Sequence, residues 1–555
     1  MKLSKYLVGT LACALMAACS NEENVQGENL LNEGGQAYMA INLVAPNTMS
    51  RTFEEGQGNE STIGRGRFYF FDASNNPVPV GANGVNYVER PIDFNGNDDG
   101  TPGTDKIEST HTILVLNGSS QTPAKMVAIL NPPTKILGAT SQNLTDLLGD
   151  KLAANYETDL QGEDKFVMSN SVYYSTTDSK VINTVDGIAN HISTTPEAAQ
   201  NDPVDIYVER VLAKVAVTQG EQSGTLNDQT ASFDTTEDFD TDGSGTAQSA
   251  KVMAKIKGWT IADRSKISYL VKHINTDWVT TSPFENAAAW NAPEYFRSYW
   301  AEIPTTGNDV VNDKTYSQIT DFSAKYCQER TGATPNTVLL VAAELLVNGT
   351  ATTIAKYAGQ LWTLDDLKTH ICGQIQRSAT PIYYSTDNGT NYSPLTKDQI
   401  KFRMRTTDEK EDVKAYESVV TLADAAESYT FAKKSSEVGE NDKYANVNAV
   451  NEILNTYKAL VWDQGKTYYY VPIEHSIGSS NTEKLYGVVR NHYYKINITG
   501  VEGLGTPIPP TEGGGSEEPI DPETPTDEYS YLAARINVLS WNVVAQDDVV
   551  LGNNK

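Results

Sequence analysis

The apolar residues of this 555-residue chain fall in short runs, and this pattern restricts the fold more than any other feature. In segments such as Ala37–Val44 and Ile206–Val217, apolar side chains recur at every second position, which is the period of a β-strand with one buried face. Gly, Asn and Asp residues that favour turns separate these runs at short intervals. Two stretches, Leu144–Ala153 and Leu364–Ile375, have helical spacing instead. The pattern predicts an all-β protein of β-sandwich domains with a few short helices.

Length and charge restrict the number of domains and the class of partner. The chain is too long for a single hydrophobic core, so two or more domains are expected. Residues 219–249 contain almost no aliphatic side chains, and they predict a linker at 221–250 between sandwiches at 52–220 and 251–502. The formal net charge of −28 argues against a nucleic-acid partner, which would require a basic face.

The first 19 residues predict export and lipid attachment. Lys2 and Lys5 precede an apolar run, Leu7–Met16, that is shorter than the roughly 20 residues needed to span a bilayer. Two alanines then lead directly to Cys19, which is the arrangement that a lipoprotein signal peptidase accepts. We expect residues 1–19 to be a lipoprotein signal peptide, Cys19 to carry fatty acyl (palmitate-type) chains, and residues 20–36 to form a polar tether. An ordinary secretory signal is the alternative.

The C-terminal end combines a spacer with a late return of apolar residues. Residues 503–528 are rich in Pro, Gly and acidic side chains and predict no packed element. Alternation resumes after Tyr529, with two sets of apolar residues whose phases differ by one position: Ala534, Ile536 and Val538, then Leu539, Trp541 and Val543. This predicts a detached strand pair within 529–555, suited to adding to an open sheet edge of another molecule. Its register stays open, because the two phases meet at Leu539.

No residue pattern in the sequence predicts catalysis. The six histidines form no H-E-x-x-H motif, and neither a nucleophile elbow nor a phosphate-binding loop occurs. Two acidic loops begin like calcium sites, but Lys106 and Ser249 stand where a bidentate Glu is needed. We therefore expect no enzyme, no metal site and no cofactor. Outside the signal peptide only Cys327 and Cys372 remain, and they form a candidate disulfide that the sequence leaves undecided.

Several of these segments resemble the Bacteroidetes fimbrillins, and in particular the shaft subunit of the minor (short) fimbria. The resemblance covers most of the chain and is strongest at both ends. Its motifs are the cysteine at 19, Tyr38–Arg51, Tyr207–Arg210, Lys255–Trp259, Val488–Ile496 and Val538–Trp541. The stretch Val488–Ile496 is the most specific, although His492 replaces an Asn of the family pattern.

The resemblance implies both a fold and an assembly mechanism. Members have two transthyretin-like domains and reach the outer membrane through the periplasm as lipoproteins. Here an arginine-specific protease would cut between Arg51 and Thr52 and remove the tether with a first strand. The core-facing residues of that removable strand are Met39, Ile41 and Leu43. A donor strand from 529–555 of another copy would fill the groove through Ile536, Val538, Leu539, Trp541 and Val543.

The implied function is a structural subunit of a fimbria shaft that supports adhesion and biofilm formation. Its partners would be other copies of the chain, accessory anchor and tip subunits, and the protease. Arg65 and Arg67 are rival cut sites, although Arg67 opens the next predicted strand. The alternative function is a non-polymerising surface lipoprotein, either a fimbrial tip or a glycan- or host-ligand-binding module. Three tryptophans could form a sugar platform in such a module: Trp278, Trp290 and Trp300.

Overall fold

A computed structural model gives the fold for most of the chain. The residues that it describes are 36–44, 60, 62–94, 109–138, 140–152, 166–175, 180–219, 224–225, 232–240, 249–273, 301–304, 310–331, 335–405, 416–475, 486–509, 520, 531–539 and 544–545.

Strands dominate the described residues, which confirms the predicted all-β class. The α-helices in these residues are α1 Thr134–Leu137, α2 Leu144–Gly149, α3 Pro196–Asn201, α4 Leu364–Arg377 and α5 Val447–Leu454. None of these helices has the length and apolar character needed to cross a membrane.

The strands are numbered in chain order. Those of the first half are β1 Gln36–Val44, β2 Ile63–Phe71, β3 Tyr87–Phe94, β4 Ser109–Asn117, β5 Lys125–Leu130, β6 Lys151–Leu152, β7 Met168–Asn170, β8 Tyr173–Ser175, β9 Lys180–Ile182, β10 Val185–Asp186, β11 Val204–Arg210, β12 Leu212–Gln219, β13 Gly224–Thr225, β14 Ser232–Asp240, β15 Ser249–Ala262, β16 Arg264–Ser265 and β17 Ser268–Tyr269.

The second half continues the numbering. Its strands are β18 Val310–Val311, β19 Lys325–Gln328, β20 Arg330–Thr331, β21 Val338–Val347, β22 Thr350–Ala351, β23 Ile354–Tyr357, β24 Gln360–Thr363, β25 Tyr383–Ser385, β26 Ser393–Pro394, β27 Ile400–Met404, β28 Glu417–Leu422, β29 Thr430–Ala432, β30 Lys458–Trp462, β31 Lys466–Pro472, β32 Gly487–Val488, β33 Tyr493–Glu502, β34 Thr506–Pro507, β35 Tyr531–Leu539 and β36 Val544–Ala545.

The N-terminal part of the chain forms one large sheet over a first core. The strand order is β3-β2-β5-β7-β11-β1-β4, with β10 paired to β5. Alternating apolar side chains of these strands meet on the core side, where a group of them is completely buried: Met39, Ile41, Phe68, Phe70, Leu114, Met126, Ile129 and Ile206. The strand β1, predicted from its alternation, therefore lies inside the sheet and not at its edge.

Two six-stranded sheets enclose a second core. One has the order β13-β12-β33-β35-β36 with β19 beside β12, and the other has the order β14-β15-β21-β31-β34 with β22 beside β21. Both sheets contribute buried side chains to the same cluster, which includes Val215, Ile256, Trp259, Val341, Tyr494 and Ile496.

A third core lies within the chain segment that joins β21 to β31. These two strands pair directly, yet more than a hundred residues separate them in sequence. The intervening segment forms a sheet of order β24-β23-β30-β28-β27, a small sheet β26-β25-β29, and the helices α4 and α5. Its buried side chains form a separate cluster that includes Leu367, Ile371, Phe402, Val420 and Val461. This separate core was not predicted, because the sequence indicated one sandwich over 251–502.

Local sequence explains where α4 begins. The Thr363 side chain accepts a hydrogen bond from the Asp366 backbone N–H at 3.1 Å and so caps the helix. Asp365 and Asp366 occupy the first turn and Arg377 the last, as the helix dipole favours. The buried face presents Leu367, Ile371, Cys372 and Ile375 to the third core. The predicted helix over Leu364–Ile375 is thereby confirmed.

We predict that Thr363→Ala lowers the free energy of unfolding of the third core by about 1 kcal/mol, because it removes the cap of α4. Urea denaturation followed by tryptophan fluorescence measures this, since the neighbouring Trp362 packs against that core. Thr363→Ser keeps the capping oxygen and is the matched control. An alanine variant as stable as the serine variant would show that the cap contributes nothing.

The division between the first two cores falls earlier than the predicted linker. Leu212 belongs to the first core and Ala213 to the second, although β12 was assigned by sequence to the N-terminal sandwich. The strand β12 pairs with β33 in parallel and with β19 antiparallel, so it is part of the second sheet system. The domain limits themselves stay a prediction.

The C-terminal strand pair is docked on its own chain, which corrects the prediction that it is detached. β35 runs antiparallel to β33 along its whole length, with Ile536 opposite Ile496. β36 pairs antiparallel with β35, with Asn537 opposite Ala545. The alternating residues of 531–539 find a strand edge within the same chain, and this satisfies the backbone groups of an otherwise open strand.

Candidate functional site

The strand β1 occupies a slot between two neighbours of opposite direction. It pairs antiparallel with β4 from Gln36 to Val44, and parallel with β11 from Ile41 to Val44. Near its start, the N–H and C=O of Tyr38 exchange hydrogen bonds of 2.7 and 2.8 Å with Ser193. Because adjacent strands lie 4.7–4.9 Å apart, β4 and β11 flank a gap of about 10 Å that β1 alone fills.

One face of β1 contributes to the first core. Ala37, Met39 and Ile41 have no exposed surface. Burying a Met or Ile side chain contributes about 1.5–3 kcal/mol each. The predicted core-facing positions Met39 and Ile41 thus lie where the alternation indicated. Leu43 follows in the strand, and its side chain is outside the described part.

A cavity lies against the other face of β1. Its volume is about 460 Å³. The residues that line it are Ala40, Arg90, Thr112, Ile113, Gln200 and Pro203. The Arg90 Nε donates a 2.9 Å hydrogen bond to the carbonyl of Ile113 on β4. Ala40 is the smallest side chain of this wall, so the strand leaves room there.

The predicted processing site lies outside the described residues, as does Cys19, but the chain after the cut is anchored. Glu60 is 3% exposed, and its carboxylate pairs with Lys214 Nζ at 2.6 Å and accepts a hydrogen bond from the Tyr326 hydroxyl. Arg210 Nε donates to the Glu60 carbonyl at 2.6 Å. Lys214 lies on β12 and Tyr326 on β19, so Glu60 ties the start of the first sheet to the second.

The rival cut sites lie inside a strand. Arg65 and Arg67 both belong to β2, which begins at Ile63. Arg67 is 2% exposed, and its guanidinium pairs with Glu89 at 2.6 Å. Burial lowers the pKa of Arg67, but the hydrogen bonds to Tyr69 and Glu89 outweigh this and raise it. A protease needs an accessible segment that is free of sheet pairing, whereas β2 is paired with β3 on one side and with β5 on the other.

A second buried ion pair completes what we call the polar junction between the first and second cores. The junction consists of Glu60, Glu209, Arg210, Lys214, Lys272, Glu329 and Arg490. Arg490 has no exposed surface; its Nε donates to Glu329 at 2.7 Å and an Nη donates to the Leu270 carbonyl at 2.9 Å. The Lys272 ammonium is 3.7 Å from Glu209, and burial lowers its pKa although Glu209 and Glu329 counteract the shift.

The most specific motif of the resemblance lies in this junction. Asn491 takes a left-handed conformation with φ 59°, which Asn tolerates better than most residues. Its side-chain oxygen accepts hydrogen bonds from the backbone N–H and from Nη of Arg210, at 3.3 and 3.0 Å. His492 Nδ1 lies 2.9 Å from the Arg490 carbonyl, so the turn before β33 is held on both sides. Glu60 and Glu329 were missed, because single buried carboxylates have no periodic signal, and Glu209 was placed in a motif without its ion pair being identified.

The structure contradicts the candidate disulfide between Cys327 and Cys372. Cys327 and Cys372 are both free and buried. Cys327 lies on β19 in the second core, whereas Cys372 lies on α4 in the third. The inserted segment has its own core, and this separates two cysteines that one sandwich could have brought together.

We predict that both thiols resist iodoacetamide at neutral pH in the folded chain. Burial raises the pKa of the Cys327 thiol and of the Cys372 thiol to about 12 each, so little reactive thiolate is present. Mass spectrometry of the chain from Ser20 onward measures the modification. The same chain unfolded in guanidinium should react at both positions and is the control. Modification of either cysteine in the folded chain would contradict the expectation.

The predicted donor residues are only partly described. Ile536, Val538 and Leu539 lie in β35, of which the structure gives the backbone pairing. Trp541, Val543, Arg51 and Thr52 lie outside the described residues, as do Trp278, Trp290 and Trp300. Within the described residues, no group of three or more His, Cys, Asp or Glu side chains is placed to hold a metal ion.

The C-terminal part of the chain matches a known family. Residues 461–547, which include β31, β33 and β35, match the family model described as major fimbrial subunit protein type IV, fimbrillin, C-terminal. The chain is thus similar to the Bacteroidetes fimbrillins, and the predicted resemblance to this family is confirmed, whereas the shaft role stays a prediction. No curated protein sequence matches the chain.

Solved structures of three proteins are similar over much of the chain. A fimbrilin, FimA, from Porphyromonas gingivalis W83 is 12% identical, with 91% of this chain and 99% of that chain covered and a TM-score of 0.35. The tip fimbrial protein Mfa3 from Porphyromonas gingivalis, with C-terminal truncation, is 10% identical, with 91% and 100% covered and a TM-score of 0.31. A fimbrial assembly protein from Parabacteroides distasonis is 13% identical, with 56% and 81% covered and a TM-score of 0.23. At TM-scores this low, these likenesses carry no argument.

Proposed function

We propose that this chain is a shaft subunit of a cell-surface fimbria, which polymerises by protease-triggered strand exchange and supports adhesion and biofilm formation. The observation that carries the proposal is the position of β1. It is a single strand in the interior of a sheet, and it belongs to the segment that a cut after Arg51 would release. The role is structural and not catalytic.

Removal of β1 would create a strong demand for a replacement strand. The backbone groups of β4 and β11 would face each other across an empty gap, and each buried unpaired group costs about 1–3 kcal/mol. The apolar side of the gap would also expose the first core beside Leu114 and Ile206. A strand with apolar residues at every second position satisfies both requirements.

The C-terminal strand β35 would have more strand neighbours in this gap than it has in its own sheet. In its own sheet β35 has one long neighbour, β33, and on the other side only the two-residue strand β36. In the gap it would have a long antiparallel neighbour and a parallel neighbour. Exchange therefore gives β35 itself more backbone pairing, although it leaves one edge of β33 unpaired and requires ordering of the 503–528 spacer.

The remaining steps of the proposal follow from the N-terminus. The precursor is exported through the periplasm and held in the outer membrane by acyl chains on Cys19. An arginine-specific protease cuts between Arg51 and Thr52 and releases the anchor together with β1. Glu60 in the polar junction keeps the new N-terminus in place. Copies then assemble with each other and with accessory anchor and tip subunits.

The test uses the unlipidated chain from Ser20 onward, treated with an arginine-specific protease. The cut chain should give a ladder on unboiled denaturing gels and filaments by negative-stain microscopy, whereas the uncut chain stays monomeric. Arg51→Lys keeps the charge but blocks the cut and is the matched control. A chain ending at Asp527 should be cut and remain monomeric. If the cut full-length chain stays monomeric, or the shortened chain assembles equally well, the proposal is wrong.

One observation favours the second candidate, a ligand-binding surface lipoprotein such as a tip subunit. A groove of about 570 Å³ on the third core is lined only by polar residues: Lys401, Arg403, Thr421, Asp424, Glu427, Asn448, Asn451, Glu452 and Asn455. These side chains offer both hydrogen-bond donors and acceptors, which a hydroxyl-rich ligand such as a glycan can use. The assembly test separates the two candidates, because a glycan-binding lipoprotein needs neither the cut nor β35.

A further inference from the structure

A three-residue pattern recurs in three strands of this chain. It consists of Ile, Asn and an aliphatic residue, and it occurs in β1 at Ile41–Leu43, in β33 at Ile496–Ile498 and in β35 at Ile536–Val538. In each strand the flanking aliphatic residues fall on one face and the Asn on the other. The repetition links the strand that the cut removes to the strand that would replace it.

The strand β33 shows what this pattern does in a slot of the same kind. Like β1, it lies between a parallel neighbour and an antiparallel one, here β12 and β35. Ile496 and Ile498 are completely buried in the second core. Asn497 lies on the opposite face, 5% exposed, and accepts a 3.3 Å hydrogen bond from Thr218 on the parallel neighbour.

The two slots are also related along the chain. β11 and β12 are consecutive strands separated by one residue, and each is the parallel neighbour of a strand with this pattern. The Asn of β33 is opposite Thr218, and the Asn position of β1 is opposite Asp205, so both slots place a hydrogen-bonding residue beside the Asn.

We infer that residues 532–539 of a second copy replace residues 37–44 one for one, with Ile536 at the position of Ile41. The inserted strand runs in the direction of β1, parallel to β11 and antiparallel to β4. This inference rests on the proposed function, since it specifies the register and direction of the exchanged strand.

The core face supports this register. Leu532, Ala534 and Val538 then take the positions of Ala37, Met39 and Leu43. Leu532 is larger than the Ala37 that it replaces, and Ala534 is smaller than the Met39 that it replaces. These two positions are neighbours on the core face, so the total side-chain volume is nearly conserved. A shift by two would put Ala534 at the position of Ile41, between Leu532 and Ile536. Leu532 would then replace Met39 and Ile536 would replace Leu43, and neither is large enough to fill the cavity left where Ala534 replaces Ile41.

The opposite face supports it as well. Arg535 takes the position of Ala40, which forms a wall of the 460 Å³ cavity. That cavity gives the longer side chain room that β1 does not use. Arg90 brings a like charge to the same cavity, and Asp202 precedes its lining residue Pro203 in the chain. Asn537 takes the place of Asn42 opposite Asp205.

Cysteine cross-linking of the cut chain tests the register. Ile113 on β4 is directly opposite position 40, so Ile113→Cys with Arg535→Cys should give disulfide-linked oligomers on boiled non-reducing gels. Ile113→Cys with Ala533→Cys is the matched control for a two-residue shift and should give none. Directly opposite Cβ atoms are about 4.5–5.5 Å apart and diagonal ones about 7–8 Å, and only the former approach disulfide geometry. Cys327 and Cys372 are buried and do not interfere.

A second cysteine pair tests the same register in case the first variant does not fold. Thr112 is opposite position 41, so Thr112→Cys with Ile536→Cys should also link copies. Linkage through Ala533→Cys, or filaments without linkage in either expected pair, would overturn the register while leaving strand exchange intact. Failure of the unmodified cut chain to form filaments would overturn the proposed function itself.

Discussion

Glu329→Ala is expected to lower the free energy of unfolding by about 3–5 kcal/mol, because it leaves the Arg490 guanidinium buried without its partner. Arg490 has no exposed surface, and within the described part of the chain Glu329 is the only carboxylate that pairs with it. Lys272, also completely buried, would lose part of the negative charge that counteracts its desolvation. Equilibrium denaturation in guanidinium measures the loss.

Two further variants make this expectation specific. Glu329→Met combined with Arg490→Met removes both charges and should recover part of the stability, although the Leu270 carbonyl then loses its donor. Lys443→Ala breaks an exposed pair with Glu440 and should change nothing measurable. If Glu329→Ala is as stable as Lys443→Ala, the polar junction does not hold the first and second cores together.

The strands of this chain could be predicted from the sequence because their pattern depends only on neighbouring residues. Alternation in segments such as 37–44 and 206–217 depends only on neighbouring residues and the pleat of a strand, and these segments lie in β1 and in β11 with β12. The helix α4 was readable for the same reason, since its apolar residues recur at helical spacing, and the structure adds that Thr363 caps its start. The core-facing residues Met39 and Ile41 follow from the same periodicity.

Features that depend on distant contacts were not readable. The third core is invisible in the sequence because β21 and β31 pair across it, and nothing local marks where the insertion starts or ends. The partners Glu60 and Lys214 are 154 positions apart, and only the fold brings their charges to 2.6 Å. The C-terminal strand was predicted to be detached, since its alternation is equally suited to the edge of β33 and to the edge of another copy.

The polar junction and the gap filled by β1 have complementary roles in the proposed filament. A strand-exchanged shaft transmits force through each subunit, from its filled gap in the first core to its own donated strand near the second. Arg210, Lys214 and Arg490 bridge these two cores through buried, hydrogen-bonded pairs. Buried pairs of this kind fix a unique geometry even where they add little net stability.

Ile41→Ala is expected to destabilise the uncut chain by about 2–5 kcal/mol and to leave the assembled filament unchanged. The first effect follows from the complete burial of Ile41 in the first core. The second follows from the proposed cut, because the segment that carries residue 41 is absent from the filament. Ile536→Ala is expected to weaken the filament, because the donated strand carries this residue into the joint between subunits. A loss of about 2 kcal/mol or more at that joint would speed dissociation of the filament in denaturant roughly 30-fold or more.

Ile371→Ala is the matched control for this pair, since Ile371 is completely buried in the third core and lies in neither strand. It should lower the stability of the cut and uncut chains alike without changing the dissociation rate of the filament. Filaments grown from Ile41→Ala chains that dissociate faster than unmodified ones would mean that β1 stays in the assembled subunit. Equal dissociation of Ile536→Ala and unmodified filaments would mean that another segment fills the gap, since a donated Ile536 side chain cannot be truncated in a packed core without loss.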